Sequence, residues 1–74
     1  MSHPRVTNHL SEIRKQKHLT QADLARMVGV ARVSINAIER GRFLPTIETA
    51  LRIAQALQMP VEEIFQLKEE ESKT

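Results

Sequence analysis

A chain of 74 residues has room for one domain, and a domain that small buries only about 60 % of the surface its unfolded chain exposes. Its 41 % hydrophobic and 27 % charged residues are ordinary for a globular protein, the lack of cysteine excludes a disulfide or thiolate–metal staple, and no apolar run approaches the roughly 20 residues of a membrane span. The net charge of +2 is unevenly spread: residues 1–45 carry eight Lys/Arg against three Asp/Glu, a net of +5, while residues 46–74 carry a net of −3.

A basic front and an acidic back suit a chain that presents one end to a polyanion, with a chance split as the bland alternative. The acidic back argues against a membrane-surface role. Met1-Ser2-His3-Pro4-Arg5 lacks the apolar stretch of a secretory signal, so the cytoplasm is the expected location.

Taken in chain order, apolar residues recur at helical spacing and predict five short helices. Helix 1 is expected from about Asn8 to Lys17, with Leu10, Ile13 and the stem of Arg14 on one face and Thr7 or Asn8 as cap. Helix 2 follows Thr20, which stands three residues before Asp23 as in a capping box; it carries Ala22, Leu24, Ala25 and Val28 and stops at Gly29. Helix 3 is expected over about Arg32 to Arg40, burying Ile35 and Ile38 and stopping at Gly41. Helix 4 follows Pro45-Thr46 and is apolar over a wide arc (Ile47, Ala50, Leu51, Ile53, Ala54, Leu57), which predicts the central, most buried helix.

Helix 5 is short, about Pro60 to Phe65, with proline at its first turn. Residues 69–74 are expected to fray. Arg5-Val6-Thr7 and Phe65-Gln66-Leu67-Lys68 each alternate apolar and polar residues, a pattern equally compatible with a two-stranded ribbon and with two unpaired ends. The whole chain, 1–74, therefore reads as a single domain.

Function concentrates in Gln21 to Arg40, QADLARMVGVARVSINAIER. Two helices that cross steeply over a tight turn need a small residue at the crossing, supplied by Ala25, and a residue free to take positive φ, supplied by Gly29. The second helix needs an apolar inner face, supplied by Ile35 and Ile38, while Leu24, Val28 and Val30 complete the floor. The spacing fits a helix-turn-helix unit over about 20–40, with an ordinary helical hairpin as the alternative.

The runs Leu19-Thr20-Gln21-Ala22-Asp23-Leu24-Ala25, Gly29-Val30, Ser34 to Arg42 and Pro45-Thr46 resemble the Xre-type helix-turn-helix regulators, relatives of phage repressors and Cro, and the resemblance covers about residues 8–65. It implies an all-α, five-helix fold like that of the lambda repressor, and double-stranded DNA as partner. It implies that Gln21 meets a phosphate at the start of helix 2. Arg32, Val33, Asn36 and Ala37 then form the outward face of the recognition helix, with Ser34 near the backbone of one strand. Arg40 and Arg42 meet the other phosphate edge, and Arg14 pairs with Glu39. That pair reads either as half-buried and structural or as an exposed pair worth under about 1 kcal/mol.

Several of these roles stay open at the level of chemistry. Arg32 reads guanine O6/N7 or holds a phosphate; Asn36 reads adenine, or faces a phosphate or a partner helix; Val33 and Ala37 offer methyls suited to thymine. Ala31 stands where the family usually has a Ser or Thr cap. The histidines His3, His9 and His18 match no zinc spacing, and no catalytic triad, phosphate loop or inward carboxylate pair is present, so neither metal, cofactor nor enzyme activity is expected.

One such domain reaches about four to six base pairs, so a homodimer on a palindrome is expected. Its contact is expected at the C-terminal apolar set Leu57, Met59, Val61, Ile64, Phe65 and Leu67. The alternative function is an antitoxin or adaptor of the same fold, binding a protein partner that the sequence does not identify; the short acidic tail offers little to wrap one.

Overall fold

The computed structural model describes residues 5–68, and the expectations for His3 and for residues 69–74 lie outside them. Its elements run β1 (Val6–Asn8), α1 (Leu10–Gln16), α2 (Gln21–Val28), α3 (Arg32–Glu39), α4 (Ile47–Leu57), α5 (Val61–Ile64) and β2 (Phe65–Leu67).

The chain ends do pair. β1 and β2 form an antiparallel ribbon with Val6 opposite Leu67, Thr7 opposite Gln66 and Asn8 opposite Phe65. His9 N extends it to Ile64 O at 2.9 Å, and Lys68 N donates to Arg5 O at 2.6 Å. Because Asn8 belongs to the ribbon, α1 starts two residues later than expected. Asn8 rather than Thr7 serves that start: its Oδ1 accepts from Leu10 N at 3.0 Å. Its Nδ2 donates to Ile38 O at 3.0 Å, so one side chain ties the ribbon, the start of α1 and the end of α3 together.

Helix ends follow local chemistry. Thr20 Oγ1 accepts from Asp23 N and Thr20 N donates to Asp23 Oδ2, both at 2.9 Å, a complete capping box for α2. Gly29 closes α2 at φ 89°, where a β-carbon would be strained. Thr46 Oγ1 caps α4 by accepting from Thr49 N at 3.1 Å. Ala31 stands at the start of α3 with no side-chain cap. The end of α4 is closed by Gln58 at φ 58°, a left-handed position with no glycine to signal it.

Leu10 and Ile13 of α1, Leu24, Ala25 and Val28 of α2, Ile35 and Ile38 of α3, Ile53, Ala54 and Leu57 of α4, and Ile64 of α5 make one buried core. Two expectations change here. α4 is not the most buried helix: Ile47 is 77 % and Leu51 55 % exposed, because at about 100° per residue they turn away from Ile53 and Leu57. The C-terminal apolar set is also not one surface. Leu57 and Ile64 lie wholly inside the chain's own core, and Met59, Val61 and Phe65 pack half-buried against it. Of the six, Leu67 alone stands out, 81 % exposed. A single turn of α5 followed directly by a strand lets Ile64 plug the core, while Leu67, at the far end of β2 and opposite Val6, stands exposed.

Candidate nucleic-acid interface

The face is built on α2 and α3, which pack together across the turn at Gly29 and Val30. The small side chain of Ala25 lets them approach, and its carbonyl accepts from both Gly29 N (2.8 Å) and Val30 N (3.0 Å), closing the turn. Ile35 and Ile38 anchor α3 from within. At helical spacing Arg32, Val33, Asn36 and Ala37 then share the opposite side. Arg32 is exposed, as is Val33 at 63 %; Asn36, Ala37 and Ser34 are half-buried. Arg40 and Arg42 are both exposed in the segment that follows, where Gly41 at φ 72° and the Arg42 N to Ala37 O bond of 2.9 Å end the helix.

Beneath this face runs a chain of hydrogen bonds. Arg14 Nε donates to Glu39 Oε2 at 2.7 Å and Arg14 Nη2 to Glu39 Oε1 at 3.2 Å, a two-pronged contact. The two side chains are 10 % and 6 % exposed, so the pair is internal rather than solvated. The hydrogen bond to Glu39 raises the Arg14 pKa further, outweighing the opposing effect of burial, and the guanidinium stays charged. Arg14 Nη1 also donates to Leu19 O at 2.9 Å, pinning the turn before α2.

Gln21, the first residue of α2, continues the chain: its Nε2 donates to Glu39 Oε1 at 3.0 Å and to Asn36 Oδ1 at 3.2 Å, and its Oε1 accepts from Arg32 Nη1 at 3.1 Å. The resemblance assigns Gln21 an outward phosphate contact; here both ends of its amide are engaged by α3. Its partners lie 15, 18 and 11 positions away, so no local pattern signals them. Asn8 is another residue whose tie to the end of α3 local sequence does not show.

The remaining polar candidates lie elsewhere. His9 sits by Gln66 (3.3 Å) and Glu12 (3.5 Å), and His18 is exposed at the end of α1 with φ 60°. Among the described residues no three His, Cys, Asp or Glu side chains gather into a metal site, and no helix is long and apolar enough to cross a membrane.

A family model described as helix-turn-helix matches residues 10–64. An HTH-type transcriptional regulator of Methanothermobacter thermautotrophicus is 46 % identical over 65 residues, 86 % of this chain and 94 % of its own length. One from Methanocaldococcus jannaschii is 39 % identical over 66 residues, 89 % of this chain and 100 % of its own. Among solved structures, the P22 c2 repressor bound to a synthetic operator superposes with a TM-score of 0.70 at 36 % identity, covering 72 % of this chain and 80 % of that one. The restriction-modification controller protein C.AhdI of Aeromonas hydrophila gives 0.70 at 33 %, covering 73 % and 82 %. With the two-helix motif, the five-helix repressor-type fold and these relatives in agreement, the chain belongs to the helix-turn-helix family: it is a transcriptional regulator with a Cro- and repressor-like DNA-binding fold, not an enzyme.

Proposed function

We propose that this regulator binds a palindromic operator as a homodimer, with α3 of each protomer in the major groove. The observation that carries the reading is the face of α3: Arg32, Val33 and Asn36 stand on its outer side, Arg40 and Arg42 follow at its end, and an internal ion pair holds it from behind. Arg32 suits a guanine edge, Val33 and Ala37 suit thymine methyls, and Ser34, Arg40 and Arg42 suit flanking phosphates. In this reading the roles of Arg14 and Glu39 are to set where α3 sits.

The dimer contact requires a revised surface. Leu57 and Ile64 are spent on the core, but Leu67 shares a ribbon face with Val6, Asn8 and Phe65, and those three residues line a hollow that the exposed Phe43 and Leu44 also border. Pro45, Ile38 and Gly41 complete its lining, so this apolar end adjoins the exit of α3. A two-fold contact there repeats the patch on both subunits and brings the two recognition helices near the dyad. Spacing of half-sites by one helical turn, roughly 34–36 Å, follows from that symmetry. The operator of the P22 c2 repressor complex supports the DNA side of the reading by likeness.

Selection of bound sequences from a random DNA pool tests it. The expected product is an inverted repeat with half-sites about one turn apart. A single, asymmetric short motif, or no motif, contradicts it.

A further inference from the structure

An amide side chain is nearly symmetric in shape, so its orientation is set by what its neighbours are able to do. Around Gln21 those abilities are unambiguous. Glu39 Oε1, 3.0 Å from Gln21 Nε2, belongs to a carboxylate paired with the Arg14 guanidinium, and it only accepts. Arg32 Nη1, 3.1 Å from Gln21 Oε1, belongs to a guanidinium, which only donates. Gln21 therefore has one orientation, nitrogen toward Glu39 and oxygen toward Arg32. Its nitrogen also lies 3.2 Å from Asn36, and the atom meeting it has to be an acceptor, Oδ1. The Asn36 nitrogen is left without a partner among the described residues, on the side of α3 that carries Arg32 and Val33.

We infer that this relay, from Arg14 through Glu39 and Gln21, fixes Asn36 as a hydrogen-bond donor, so that Asn36 selects a keto base edge, guanine or thymine, over the amino edges of adenine and cytosine. The inference rests on the proposal that α3 enters the major groove. A freely turning asparagine reads adenine by donating to N7 and accepting from the N6 amino group. Here Oδ1 is turned to Gln21, so adenine keeps at most the bond to N7, and its N6 amino group meets the Asn36 nitrogen donor to donor. Guanine presents two acceptors, O6 and N7, along the same edge, and thymine presents O4. Gln21 is thus a positioning residue: it acts on the DNA through Asn36 and Arg32.

Two variants test this by sequence selection from a random DNA pool beside the unaltered protein. Asn36→Asp keeps the shape and still accepts from Gln21, but it carries no N–H. Gln21→Met keeps the length and removes the hydrogen bonds that orient Asn36. The unaltered protein is expected to enrich guanine or thymine at one position of each half-site. Asn36→Asp is expected to reverse that position alone to adenine or cytosine, a change in preference of about tenfold. Gln21→Met is expected to admit adenine there and to loosen the position read by Arg32, while the rest of the motif persists. Either variant suffices if the other fails to fold. Adenine at an Asn36-dependent position of the unaltered protein overturns the inference, as does a motif unchanged by both variants. A pool with no enriched motif at all overturns it together with the sequence-specific reading beneath it, and is told apart by that very lack.

Discussion

Glu39 is the residue on which the candidate interface turns, because it accepts from Arg14 twice and from Gln21 once while almost fully buried. Such a pair adds little over apolar replacements, yet removing one partner leaves a charge without its counterion in the interior. Glu39→Ala is expected to lower stability by about 3–5 kcal/mol. The double replacement Arg14→Met, Glu39→Ala is expected to recover part of that loss, a coupling readable from thermal unfolding of the four proteins in the cycle. Strictly additive losses would show that the contact carries no energy. At this scale the sequence is only partly legible. Ile35 and Ile38 declare themselves by spacing three apart on one helix. The Arg14–Glu39 pair, by contrast, joins α1 to the end of α3 across 25 positions, and only likeness to a family points to it. The link through Gln21 is legible from neither, since it exists only once α2 and α3 have docked.

Element boundaries were legible wherever one residue does the work. Thr20 with Asp23, Thr46 after Pro45, and Gly29 and Gly41 at positive φ mark four helix ends unaided. Gln58 does not, because an αL residue other than glycine is imposed by packing on either side of it rather than by its own preference. The breadth of apolar residues on α4 overstated its burial for a related reason: periodicity gives the arc but not how much of it neighbours cover, and Ile47 and Leu51 fall outside.

The capping box also makes a pH prediction. The backbone N–H and hydroxyl of Thr20, then Arg26, hold the Asp23 carboxyl below its ordinary value of 3.8. A depressed carboxylate contributes stability that is present above its ordinary pKa and lost as pH falls through the folded value. Asp23→Asn is therefore expected to unfold at lower temperature than the unaltered protein near neutral pH. The gap is expected to close below that value, as the aspartate takes up its proton. A gap that stays constant down to about pH 2 would assign the effect to shape rather than charge.

For the whole molecule, charge and apolar surface divide the work. Arg32, Arg40 and Arg42 stand on and just after α3, while Glu62 and Glu63 lie on α5. The exposed apolar groups Phe43 and Leu44 border a hollow where α3 exits against the ribbon, and the exposed Leu67 stands on that ribbon opposite Val6. The composition told of such a division but misplaced the apolar part, since counting C-terminal hydrophobics cannot separate Ile64, which plugs the core, from Leu67, three residues on and facing out. Leu67→Glu is expected to leave the fold intact. A dimer contact there would lose at least about 3 kcal/mol, because a two-fold surface counts the change twice. Sedimentation at micromolar concentration reads this directly. A variant that stays dimeric and binds the selected operator normally places the contact elsewhere.

The central claim, that the outer face of α3 meets DNA, is open to one direct measurement: backbone and side-chain NMR shifts of isotopically labelled protein on addition of the selected operator. The account predicts the largest changes at Gln21, Arg32, Val33, Asn36 and Ala37, with Arg40 and Arg42 beside them, and little change at Ile47 and Leu51 on the outer side of α4. Changes centred on α4, or spread evenly over the surface with α3 undisturbed, would contradict it.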